Sequence, residues 1–297
     1  MSLWVLFTLA AAAMQTVRFV LQKQLKGAGL STGGATFSRF LFAAPIATVL
    51  TAVVLAATDT AVPTLSARFW GFIILGGVAQ IVATFLTVAL FSLRNFAVGV
   101  AFTKTETVQV AALSAILLAE AVAPWAWLAI GVGFCGVMLL SKGPEVGARW
   151  LGRPALYGIA AGGLFGLSAI GYRGATQELL VLPFFLRALV ALGAATVLQS
   201  FVMAAWLVWR EPGELGRVLA RWRKTVPVGI TGMLGSLGWF AAFALQNAAY
   251  VRALGQIEMA FMMLASVLVF HERLSWREGV GIGLIIGSVI AIVLAFG

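Results

Sequence analysis

From Leu3 onward the chain alternates long apolar runs with short polar breaks. The runs are about 16 to 30 residues long, and a helix needs about 20 residues to cross a bilayer, so spanning helices are predicted rather than barrel strands. Ten spans follow from the pattern: residues 3–21, 32–57, 69–91, 97–118, 125–140, 154–172, 179–208, 226–245, 253–270 and 276–296. No Lys or Arg precedes the first run, and Gln15 and Arg18 interrupt it, so it is expected to be a helix of the mature protein rather than a signal peptide.

Composition narrows the class further. Of 297 residues, 62% are hydrophobic and only 10% charged, which predicts an all-α integral membrane protein with no soluble domain. The net charge of +10 is sorted by loop instead of gathered on one folded face, which argues against a nucleic-acid partner. Loops after the odd-numbered spans carry Lys23, Lys26, Arg94, Lys142, Arg149, Arg153, Arg210, Arg217, Arg221, Arg223, Lys224, Arg273 and Arg277, while the opposite loops are assigned only Arg68, Arg173 and Arg252. The positive-inside rule puts the basic loops in the cytoplasm and both termini on the periplasmic side of a bacterial inner membrane. The single cysteine, Cys135, forms no intramolecular disulfide, and the lone His271 is no ligand set, so neither a metal nor another cofactor is expected.

Sliding the chain on itself by 152 residues lays Glu106 on Glu258, Glu120 on Glu272, and Asn95 on Asn247, the only two asparagines. Both halves thus carry E-x13-E. A weaker echo sets Phe37-Ser38-Arg39 against Phe185-Leu186-Arg187. Residues 1–145 and 146–297 are read as two five-helix repeats. An odd number of spans makes the second enter the membrane from the opposite side, giving an inverted repeat around a central cavity.

Arg39 and Arg187 in the second helix of each half, and Ala119-Glu120 and His271-Glu272 closing the fourth before a glycine-rich fifth, resemble the drug/metabolite transporter superfamily. The likeness covers nearly the entire chain and is greatest to ten-helix EamA-type exporters, among them YddG-like amino-acid exporters. It implies a carrier whose first, third and fourth helices and their repeat mates enclose the cavity. Such members carry a proline about 13 residues before the closing Glu; here Thr107 and Met259 stand there. The resemblance also implies a structural role for Glu120 and Glu272.

Charges within a span are costly and face a partner or a wet cavity. Arg18, Arg39, Lys104 and Arg187 against Glu106 and Glu258 leave two bases in excess. Arg39 and Arg187 are expected to reach toward head groups, whereas Arg18 and Lys104 are expected in an ion pair or on substrate. Residues two apart point roughly 200° from each other on an α-helix, so Lys104 and Glu106 are not expected to face one point. The substrate-site candidates are Gln15, Arg18, Gln80, Thr84, Thr103, Lys104, Glu106, Ser168, Trp239, Gln256 and Glu258. Strips of glycine at Gly158, Gly162 and Gly166, and at Gly279, Gly283 and Gly287, are expected to be helix-packing surfaces.

The expected activity is export of small polar metabolites, amino acids foremost, by alternating access. A zwitterion needs an anion such as Glu106 or Glu258 for its ammonium and Arg18, Lys104 or Gln15 for its carboxylate. A multidrug or hydrophobic-cation exporter is the alternative, and an intramembrane serine protease using Ser168 and His271 a distant one. The expected partners are a small-molecule substrate and the lipid bilayer, and no enzymatic activity is expected. Proton coupling and the oligomeric state stay open.

Overall fold

The protein is described by a computed structural model covering residues 2–27, 29–90, 102–140, 153–270 and 275–296. The described residues contain helices and no strands. In chain order the helices are α1 (Leu3–Gly27), α2 (Thr32–Leu41), α3 (Ala43–Ala57), α4 (Ala67–Leu90), α5 (Glu106–Leu117), α6 (Pro124–Leu140), α7 (Arg153–Gln177), α8 (Phe184–Arg210), α9 (Glu214–Ala220), α10 (Trp222–Leu245), α11 (Ala248–Leu254), α12 (Ile257–Phe270) and α13 (Trp276–Phe296). Seven segments among these residues are long and apolar enough to cross a membrane, and two shorter apolar helices lie at 106–117 and 124–139. This is a multi-pass membrane protein.

The expected fourth and ninth spans differ from the structure in the same way. Each contains a turn. Lys104 and Thr105 form a turn immediately before α5, and Gly255 and Gln256 separate α11 from α12. Asn247 explains how the second of these segments starts deep in the protein: its side chain accepts from the Ala249 N–H at 2.8 Å and caps α11. An N-cap satisfies one of the donors that a helix start leaves free, which is why Asn is favoured there. Asn95, its counterpart by sequence, lies outside the described residues.

Close packing depends on glycine where backbones meet. On α10, a Cβ at Gly238 would lie 2.8 Å from the Phe7 carbonyl and 2.9 Å from the Ala11 Cβ of α1. On α7, a Cβ at Gly171 would lie 2.7 Å from the Gly76 backbone of α4. These contacts draw α1 onto α10 and α4 onto α7, while α3 packs on α8, α5 on α11, and α6 on α13.

The two expected glycine strips part company. Gly162 meets the Thr103 carbonyl, with 2.6 Å left for a Cβ, and Gly166 meets Val110, so that strip seats α7 against α5. Gly279, Gly283 and Gly287 have nothing within 4 Å of a Cβ, and α13 packs on α6 through Gly281 and Ile285 instead. The helix turns its Gly279 strip outward.

At the end of the bundle carrying Arg217 and Arg221, the carboxylates of the α8–α9 connection hold the start of α2. Ser31 donates its N–H to Glu214 Oε1 at 2.7 Å and its hydroxyl to Glu211, and the Ser31 Oγ in turn caps the Gly34 N–H. Burial pushes the Glu214 carboxyl up, but the Ser31 N–H, the Arg217 guanidinium and the Ser31 hydroxyl outweigh it and hold the carboxyl below its ordinary range.

Candidate functional site

The two helix breaks meet. Glu106, first residue of α5, lies 2.8 Å from Arg252 Nε on α11. Lys104, in the turn before α5, donates to Glu258 Oε2 on α12 at 3.2 Å. Each ion pair therefore joins one half of the chain to the other, and the two cross between the breaks. Around them Lys104, Glu106, Thr107, Arg252, Gly255, Gln256 and Glu258 line a cavity of about 10 Å³. That is room for about one water at most, so the charges are closed upon each other.

Lys104 and Glu106 thus line one cavity, contrary to the expectation from helical geometry. The reason is local: Lys104 belongs to the turn and Glu106 to the helix that follows it, so the 100° step per residue does not connect them. The turn also redirects Gln109, which donates to Thr105 Oγ1 at 2.8 Å and packs toward Gly163 of α7.

Polar groups from α1 and α10 extend the site. Gln15 donates to Glu258 Oε2 at 2.8 Å and accepts from Trp239 Nε1 at 3.1 Å. Trp239 in turn lies under the Arg252 guanidinium, 4.6 Å from its ring centroid, a cation–π arrangement. Gln256 is buried in the α11–α12 turn with neither amide atom hydrogen-bonded, and a Cβ at Gly133 of α6 would lie 2.7 Å from its Oε1. Thr103 is buried where α7 crosses the break.

A second polar layer holds the remaining candidates. Gln80 Oε1 accepts from Tyr172 at 2.9 Å and from Gln199 at 2.9 Å, and Gln199 also reaches the Gly77 carbonyl at 3.3 Å. Thr84 accepts from Arg39 Nη1 at 3.0 Å. Ser168 is fully buried on α7, one turn before Tyr172. Its proposed protease partner, His271, lies outside the described residues.

Four basic residues stand elsewhere than the sequence reading put them. Arg39 is 3% exposed and bonds Thr84 of α4 and Ser236 of α10 in the interior, rather than reaching toward head groups. Arg252, assigned to a loop, is interior because α11 begins five residues earlier than the expected span. Arg173, also assigned to a loop, lies in the last turns of α7, where it pairs with Glu120 at 2.7 Å and donates to the Phe243 carbonyl at 2.5 Å. Arg18 is 2% exposed and not near a helix end, since α1 continues to Gly27. Its Nη1 donates to Gln22 Oε1 at 2.7 Å, and no carboxylate pairs with it among the described residues.

Sequence reasoning missed Arg252, Gln199 and Tyr172. Gln199 was discoverable as a polar residue amid an apolar span. Arg252 was not, short of recognising Asn247 as a cap. A separate groove of about 960 Å³, bounded by α3, α4 and α8, is lined mainly by apolar residues such as Leu55, Val190 and Phe201. It lies away from every charge just described, so its volume does not make it the site.

With this geometry in place the comparisons take a clear form. Residues 153–294 match the EamA-like transporter family. The chain carries an EamA-like transporter domain. That family is one of transporters of the drug/metabolite type, not of enzymes. No curated protein matches the sequence. A solved structure described only as a crystal structure of a protein is similar over 99% of this chain and 98% of its own, at 15% identity and a TM-score of 0.70, and so shares the fold. The EamA-like match covers α7 to α13, and hence Arg252, Gln256 and Glu258, while Lys104 and Glu106 lie in the half preceding it.

Proposed function

We propose that this protein is an alternating-access carrier that exports small polar metabolites, zwitterionic amino acids foremost, from a bacterial cytoplasm. The observation that carries the reading is the crossed pair of ion bridges, Lys104–Glu258 and Arg252–Glu106, joining the two helix breaks. A buried charge does not give up its partner without a substitute. A zwitterion supplies both substitutes at once, its ammonium going to Glu258 or Glu106 and its carboxylate to Lys104 or Arg252, and it leaves the site's net charge unchanged. Breaking the bridges on one side of the cavity at a time opens the halves alternately.

An inverted arrangement of the halves supports this reading. Glu106 and Glu258, 152 apart in sequence, each stand just after a break, and a pair of inverted repeats commonly meets at such a site. In the orientation we infer, the basic end faces the cytoplasm and both termini the periplasm.

Flux into proteoliposomes from a panel of amino acids tests the proposal. Wild-type protein is expected to carry at least one of them. Glu258→Gln, Glu106→Gln and Lys104→Met are each expected to lower the flux at least tenfold, the loss of one charge-assisted hydrogen bond worth about 1.5–3 kcal/mol. Flux of hydrophobic cations with no amino acid carried would replace this reading with that of a multidrug exporter.

A further inference from the structure

The interior holds more positive than negative charge. Glu106 and Glu258 are each engaged by a cation from the other half. Among the described residues, Arg18 and Arg39, both nearly completely buried, hydrogen-bond to neutral side chains: Gln22 for the first, Thr84 and Ser236 for the second. Arg18 Nη2 has no hydrogen-bond partner among the described residues. The two arginines adjoin, for a Cβ at Gly232 of α10 would meet Arg39 Cγ at 3.1 Å and Arg18 Cδ at 3.4 Å. Two like charges side by side in a membrane interior, neither in an ion pair with a carboxylate among the described residues, are explained by a ligand that supplies a negative group of its own.

We infer that Arg18 and Arg39 form an oxyanion subsite of the carrier, taking a carboxylate, phosphate or sulfate-like group between α1, α2 and α10. Guanidinium forks match two oxygens of such a group, and the Gln22, Thr84 and Ser236 side chains that now hold the forks position them. The subsite lies one helical turn along α1 from Gln15, the donor to Glu258. The arginines thus offer a carried carboxylate a second place, beside the one at Lys104 or Arg252, while its ammonium stays at Glu258. A cavity of about 420 Å³ lined by Leu21, Gln24, Leu25, Arg223, Lys224 and Pro227 lies at the basic end, one turn beyond Arg18 on α1. Its charges raise the local concentration of anions on that side. What is carried rests on the carrier reading; that an oxyanion binds does not.

Thermal unfolding of the purified full chain in chloride buffer at constant ionic strength tests the inference, with sodium sulfate, inorganic phosphate, leucine and leucine methyl ester as probes. A saturating rise in Tm is expected with leucine or with the inorganic anions, but not with the ester. Arg39→Gln and Arg18→Gln are each expected to weaken that response at least tenfold, Arg39→Lys by less, and Arg68→Gln, an exposed control, not at all. The non-specific stabilisation that sulfate gives any protein is linear and survives in every variant. Because Arg39 is in no ion pair among the described residues, Arg39→Gln is expected to unfold no earlier than wild type in chloride alone. A response to leucine only assigns the subsite to the cargo carboxylate, and one to phosphate or sulfate assigns it to a free oxyanion. No saturating response to any probe, or one equal in wild type and both glutamine variants, overturns the subsite. Amino-acid flux indifferent to Arg39→Gln would overturn the assignment to the cargo carboxylate while leaving the carrier standing; an intact anion response without flux of any metabolite would sink the carrier alone.

Discussion

At the scale of single residues, the Arg252–Glu106 bridge makes the sharpest demand on stability. Removing one member of a buried pair leaves the other without compensation, at a cost of about 3–5 kcal/mol, whereas removing both is far cheaper. Arg252→Met alone is accordingly expected to lower the stability of the purified protein severely, and Arg252→Met combined with Glu106→Gln to recover most of the loss, as read by denaturant unfolding. Glu214 gives a pH signature. Its folded value lies below the ordinary carboxylate range, so its contribution is complete above about pH 4.3, the unfolded value, and is lost as pH falls through the lower folded one. Wild type is expected to unfold at a higher temperature than Glu214→Gln at neutral pH, with the gap closing only below that point. Lys104, Glu106 and Glu258 were legible in the sequence because charge in an apolar run needs a reason. Arg252 was not, because seven residues between two apolar runs, Gln246 to Arg252, read as a loop.

Among the elements, α5 and the α11–α12 pair hold the charges of the candidate site at or beside their ends. The ten apolar segments announce themselves by composition, but the turns inside the fourth and ninth do not, since Lys104-Thr105 and Gly255-Gln256 interrupt neither run for long. The cause is tertiary: α7 presses Gly162 onto the Thr103 carbonyl. Gly162→Val is expected to push α7 off α5, displace Glu106 and abolish flux, with a stability loss of about 1–3 kcal/mol from overpacking. The far end of α5 offers the opposite change. Ala119 follows the helix with φ 53, and the Glu120 N–H returns to the Ser114 carbonyl at 3.2 Å, the position where glycine ordinarily ends a helix. Ala119→Gly is expected to stabilise the protein by about 1 kcal/mol, since the left-handed region costs an L-residue that much.

For the whole molecule, helix partnership is reciprocal between the halves. The first expected span packs on the eighth (α1 on α10) and the third on the sixth (α4 on α7). The second packs on the seventh (α3 on α8) and the fifth on the tenth (α6 on α13), and α5 of the fourth packs on α11, the short helix that leads into the ninth. Exchanging each span for its proposed repeat mate leaves that set unchanged, as a two-fold relation between repeats requires. The 152-residue spacing of Glu106 and Glu258 was readable from sequence; their engagement with Lys104 and Arg252 was not, because contact between segments so far apart in the chain leaves no local pattern.

Access to the centre from both faces tests the account most directly. Gln256→Cys, placed between the breaks in a Cys135→Ala background, should be tested in sealed proteoliposomes with a membrane-impermeant thiol reagent added inside or outside. Modification from each side, slowed by a carried amino acid, is the predicted result. Modification from one side alone, under every substrate gradient, would contradict it.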